Sequence, residues 1–158
     1  MFFSDVFATN DHKALKIDNK TIGSFSVFKQ GIEPVWEDPV NALGGEFYTR
    51  RCFLSIFRIY QLRSIVGFLD LDAQCLNLIW ENLLLGLIGE TMDPDNYICG
   101  VRVADKTNRN KSSYKIEIWL STTDQAIRYD VEGYVLDTLK DVPIGKKALE
   151  FSWKEHSH

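Results

Sequence analysis

The chain has 158 residues, 45% of them apolar, enough for one domain with a real core and too apolar for a disordered segment. Eighteen basic against 22 acidic residues give a formal charge of −4, which excludes a general nucleic-acid binder that neutralises many phosphates. Cys52, Cys75 and Cys99 form no CxxC pair, so neither a disulfide framework nor a zinc site is indicated, and a reducing cytosol or nucleus fits.

Residues 1–24 carry no assignable pattern, and Met1-Phe2-Phe3-Ser4-Asp5 lacks the basic start of a signal peptide. Phe25–Phe28 reads as a short strand leading into the loop Gly31–Pro39. The pair Gly44-Gly45 marks a turn before a second strand, Glu46–Thr49. The long apolar run Cys52–Leu69 is interrupted by Arg58 and Arg63, and mid-span charges are costly, so it is not read as a membrane span. Ala73–Ile88 gives the clearest helix, with Leu76, Ile79, Trp80, Leu83, Leu84 and Leu87 on one face, Asp70 or Asp72 as its N-cap and Gly89 as its stop. Tyr97–Val103 and Tyr114–Leu120 read as strands around a polar loop, Ala104–Ser113. In the second of them Ile116, Ile118 and Leu120 alternate with Lys115, Glu117 and Trp119, so one face covers a helix layer and the other is left for a ligand. A second helix is expected over Asp124–Leu139, where Ile127, Val131, Val135 and Leu139 are spaced by four, and Val142-Pro143 closes it. Lys147–Trp153 reads as a last strand.

Strands interleaved with helices predict an α+β domain over residues 25–153, one antiparallel sheet backed by helices, with 154–158 as a tail. His12, His156 and His158 lie near the ends and build no metal or catalytic cluster, and no cofactor is expected.

The stretch Gly31-Ile32-Glu33-Pro34-Val35-Trp36-Glu37-Asp38-Pro39 is the most informative. An indole offers a flat π-face to a base or a flat cation, and the neighbouring carboxylate accepts from N–H donors, which together make a purine-reading pair. The plainer alternative is an ordinary buried Trp beside a solvated acidic turn. Glu33, Glu37 and Asp38 place three acids within six residues, but no nucleophile–base constellation or metal-ligand spacing accompanies them, so no enzyme is expected.

Gly31–Asp38, Gly44-Gly45, Trp80 with Leu83–Glu90, and Lys115-Ile116-Glu117-Ile118-Trp119 occur in an order that resembles the cap-binding translation initiation factor 4E family, from about Phe25 to Phe151. The resemblance implies a curved antiparallel β-sheet backed by helices, here lacking the family's first strands and helix. It implies a non-enzymatic factor that binds the 7-methylguanosine 5′ cap of messenger RNA. By that resemblance Trp36 and Trp119 take the base, Glu37 its N–H edge, and Lys106, Arg109, Lys111 and Lys115 the phosphates. Lys106 falls where the family carries Arg and loses the bidentate geometry. A scaffold protein of the 4G type and competing 4E-binding repressors are implied partners, at Trp80, Glu81, Asn82 and Leu85; DNA and membrane are not. Glu81 replaces an apolar contact and Asn82 an acid, which predicts weakened scaffold binding.

Two features depart from the family. None of the four Trp precedes Trp36, so the second stacking Trp is missing and only Phe2, Phe3, Phe7 or Phe25 remain to replace it. The segment 51–68 is a longer, strongly apolar insertion. Cap reading therefore stands beside an alternative, a divergent member that acts through protein contacts without binding the cap.

Overall fold

The computed structural model describes residues 16–17, 20–53, 73–106, 112–143 and 149–156. Its elements are β1 (Lys16–Ile17), β2 (Lys20–Thr21), β3 (Ser24–Phe28), a 3-10 turn at Asn41–Leu43, β4 (Gly45–Phe53), α1 (Ala73–Ile88), β5 (Ile98–Asp105), β6 (Ser112–Leu120), α2 (Gln125–Thr138) and β7 (Ser152–Glu155). The pair β1–β2 stands alone, and the other strands form one antiparallel sheet in the order β3-β5-β6-β4-β7. This is the expected α+β arrangement, a sheet packed on two helices.

Period-two alternation decides which face of the sheet is dry. Phe47, Val101, Val103, Ile116 and Ile118 join Leu76, Ile79, Leu83, Leu84 and Leu87 of α1 and Val131 and Val135 of α2 in one buried cluster. Trp80 also belongs to this core at 2% exposure, as its place on the apolar face of α1 predicts. Its position in the apolar stripe turns the indole toward the sheet.

The helix α1 spans the expected residues, while the expected N-caps Asp70 and Asp72 lie outside the described residues. Helix α2 starts one residue later than expected because Asp124 is its N-cap, its carboxylate accepting from the backbone N–H groups of Ala126 and Ile127 at 2.9 and 3.1 Å.

Strand boundaries differ at several points. Arg51–Phe53, expected to open the insertion, continue β4 in register with Tyr114, Ser113 and Ser112, and the insertion beyond residue 53 lies outside the described residues. Strand β5 runs on to Asp105 and β6 begins at Ser112, so the connecting loop is shorter than Ala104–Ser113. The last strand is Ser152–Glu155, and so takes in residues expected to be tail; of the expected Lys147–Trp153, residues 149–151 are not strand and residues 147–148 lie outside the described residues. Trp153 anchors it: its ring stands edge-on to Phe47 at 5.0 Å, with the Arg128 guanidinium 4.6 Å from its centre. The Gly44-Gly45 pair lets β7 and β6 close in. A Cβ on Gly45 would strike the Lys154 carbonyl, and one on Gly44 the Leu120 carbonyl.

Candidate functional site

The Trp36 loop leaves β3 and returns at the 3-10 turn, and its backbone is held by two side chains. Asp38 accepts from the N–H groups of Glu33 and Val40, both at 2.9 Å. The Asn41 amide donates to the carbonyls of Glu33 at 2.7 Å and Val35 at 2.9 Å. Gly31 supplies the left-handed residue at the loop entrance, φ +86°. The N–H bonds from Glu33 and Val40 hold the Asp38 carboxyl below the usual carboxylate range. Asp38 is thus a loop clamp. The result is an indole at Trp36 that stays 40% exposed next to an exposed Glu37.

Beneath the loop lies the sheet face opposite the core. Glu46 of β4 is the cross-strand partner of Trp119 in β6 and of Lys154 in β7. Trp119 is buried, donates from Nε1 to Glu117 Oε2 at 3.2 Å, and meets the Phe28 ring edge-on at 5.3 Å. The Lys115 ammonium bridges Glu46 Oε1 and Glu117 Oε1, the latter at 2.7 Å, and Arg102 Nε lies 3.8 Å from Glu117 Oε2. Burial pushes the Glu46 carboxyl up, but His156 and Lys115 overcome it and hold the group below its ordinary value. Burial also works against the Lys115 ammonium, yet Glu117 and Glu46 raise it above the usual lysine value.

The chain returns to this face at His156. Its backbone N–H donates to the Gly44 carbonyl at 3.0 Å, and its Nδ1 donates to the Asn41 carbonyl at 2.9 Å. The imidazole is within 18° of parallel to Trp36 with 5.9 Å between ring centres, and lies 4.5 Å from Trp119. Lys154 places Nζ 4.2 Å from the centre of the Trp36 ring.

Of the residues singled out in the sequence, Trp36 and Trp119 both meet the His156 ring, and Glu37 is exposed next to Trp36 in the loop. Lys106 is exposed just beyond β5, its backbone N–H bonded to the Ser113 carbonyl at 2.7 Å, while Arg109 and Lys111 lie outside the described residues. Lys115 has two carboxylate partners, an arrangement its strand position did not reveal. Phe25 packs against the core, and Phe2, Phe3 and Phe7 lie outside the described residues. On α1, Leu85 is exposed and Glu81 and Asn82 are half-exposed, with the Asn82 amide donating to the Leu78 carbonyl at 2.8 Å. Sequence reasoning missed Glu46, Lys154 and His156. Glu46 carried one usable signal, a carboxylate in a strand directly after a Gly-Gly turn; His156 carried none, since His12, His156 and His158 were all set aside as terminal residues.

Residues 8–158 match the family model described as Eukaryotic initiation factor 4E. The chain belongs to the initiation factor 4E family. It is 34% identical over 116 residues to human eukaryotic translation initiation factor 4E, a match covering 73% of this chain and 44% of that protein. It is 30% identical over 129 residues to Caenorhabditis elegans initiation factor 4E-4, covering 82% and 48%. The chain thus spans about half the length of the curated relatives it matches. Among solved structures, C. elegans eIF4E-3 in complex with the 4E-binding protein Mextli superposes with a TM-score of 0.62 at 22% identity, over 96% of this chain and 74% of that one. Ascaris suum eIF4E-3 with m7G cap gives a TM-score of 0.58 at 23% identity, over 94% and 69%. These likenesses establish the 4E fold, and the 4E family consists of cap-binding factors, not enzymes.

Proposed function

We propose that this chain reads the 7-methylguanosine 5′ cap of messenger RNA as an initiation factor of the 4E family. The observation that carries the reading is the clamped loop that keeps Trp36 exposed beside Glu37, over a sheet face whose aromatic wall is Trp119. A methylated guanine carries a delocalised positive charge, and an indole face attracts such a cation by about 0.5–2 kcal/mol. An ionised Glu37 has acceptors only, which suits the N1–H and N2–H edge of guanine and not the edge of adenine. Lys106, with Arg109 and Lys111, would meet the phosphates. Lys115 would reach them only by leaving Glu46 and Glu117.

The partners and setting are part of the same proposal. Leu78, Leu85 and Ile88 are exposed along α1 and offer an apolar strip to a 4E-binding protein or a 4G-type scaffold, with Glu81 and Asn82 weakening the scaffold contact. The cytosol or the nucleus supplies capped RNA.

Tryptophan fluorescence during titration with 7-methyl-GTP and with GTP tests the reading. Binding of the methylated nucleotide at least about tenfold tighter than GTP is expected, and equal affinities would refute it. The second reading, action through protein contacts alone, draws support from the Trp36 ring being already covered by Lys154 and His156. A folded protein that responds to neither nucleotide would favour it.

A further inference from the structure

Among the buried polar atoms of the site that lack a hydrogen-bond partner in the described residues are two that face each other, Oε2 of Glu46 and Nε2 of His156, 3.9 Å apart. Nδ1 of His156 is committed to the Asn41 carbonyl and therefore holds a proton, so Nε2 is the atom turned toward the carboxylate. Glu46 is 1% exposed, and its other oxygen is taken by Lys115. The imidazole thus sits in a slot with Trp36 and Trp119 as walls and one open carboxylate oxygen at its base.

The dimensions of the slot decide how a ligand enters. Stacking a second ring between Trp36 and His156 would require about 7 Å, two contact distances of about 3.5 Å each. The ring centres are 5.9 Å apart. A base that stacks on this face of Trp36 therefore takes the place of His156. Displacing His156 lowers the affinity of a charged and an uncharged base by the same factor, so the competition itself cannot tell them apart. Discrimination has to come from the groups that stay behind. Trp36 supplies part of it through its π-face, and the open Glu46 oxygen supplies a negative charge behind the slot.

We propose that His156 occupies the base position in the free protein and that Glu46 selects a positively charged ring there. The proposal rests on the base-reading site argued above, and it adds a residue that specifies charge and a side chain that stands in for the ligand.

The test is NMR of the His156 ring protons in the full chain, assigned with His156→Asn, which keeps a donor for the Asn41 carbonyl. Two ligand pairs are titrated: 7-methyl-GMP against GMP, and 1-methylnicotinamide against nicotinamide, a flat cation and its neutral counterpart with no cap chemistry. In the free protein the two indoles should shift the ring protons upfield, and either cation should abolish that shift. His156→Asn should tighten both members of a pair by one common factor. Glu46→Gln should cut the cation-to-neutral affinity ratio by about threefold to tenfold, and Glu46→Asp, which draws the carboxylate back, by less. An unshifted ring in the free protein, a shift that survives saturation, or an unchanged ratio in both Glu46 variants would each overturn the proposal. Displacement by 1-methylnicotinamide alone would sink the cap reading and leave this inference standing, and failure of every cation to bind would sink both.

Discussion

Replacing Lys115 by methionine removes a charge and keeps most of the aliphatic stem, which makes it a clean probe of what this lysine does. Its ammonium lies between Glu46 and Glu117, whose side chains are 1% and 6% exposed. Removing one partner of a buried ion pair costs about 3–5 kcal/mol, because the remaining charge stays buried. Lys115 is itself 12% exposed and Arg102 remains 3.8 Å from Glu117, so the loss falls to or just below the low end of that range, about 2–3 kcal/mol. The pH dependence follows from Glu46. In the native protein its pKa is lowered, so its contribution is present above the unfolded value, about 4.3, and is lost as pH falls through the folded value. Without Lys115, burial loses a principal opponent, Glu46 takes up a proton more readily, and the deficit of the variant shrinks toward acid. Urea unfolding followed by tryptophan fluorescence at about pH 7.5 and at about pH 4, on the acid side of the unfolded value, should show the full loss at the higher pH and a smaller one at the lower. A loss below about 0.5 kcal/mol at the higher pH, together with weakened nucleotide binding, would refute the buried-bridge argument and make Lys115 a surface phosphate contact.

Three further outcomes are expected. Gly133 is exposed inside α2 and a Cβ there meets nothing within 4 Å, so Gly133→Ala should stabilise by about 0.5–1 kcal/mol, seen as a raised urea midpoint at unchanged slope. Gly45→Ala drives a Cβ into the Lys154 carbonyl and to 2.6 Å from the Trp153 ring, and should cost about 2–4 kcal/mol and strip hydrogen-exchange protection from β7; intact protection would count against the close approach. Burial pushes the Cys99 thiol up to about 11, so alkylation of the native protein at about pH 8, followed by mass spectrometry, should leave Cys99 unmodified until urea opens the core.

The periodic elements were legible because their signal is local. Six apolar residues on one face fix α1 to Ala73–Ile88, and the four-residue spacing of Ile127, Val131, Val135 and Leu139 marks α2, although Asp124 reads there as a helix residue and not as the N-cap it is. The loop around Trp36 and Glu37 was legible from composition, since an indole next to a carboxylate between prolines has few uses. What stayed hidden is pairing across the chain. Lys115 reads as a phosphate cation until Glu46, 69 residues away, closes on it. Glu46 reads as an ordinary strand acid until Trp119 faces it. Residues 154–156 looked like tail because four residues of edge strand carry too little alternation to be seen.

The hydrogen bond from His156 to Asn41 joins residues 115 positions apart. Its consequence concerns synthesis. A ribosome makes the Trp36 loop early, but the ring that settles against that loop is added only when residue 156 is made, and it reaches the loop only after leaving the exit tunnel. Until then a nascent chain carries an indole, a carboxylate and a half-built sheet with β4 unpaired on one side. The site is therefore closed by residues 152–156, and a chain cut before Ser152 would present its Trp36 with neither its internal ring nor strand β7 in place.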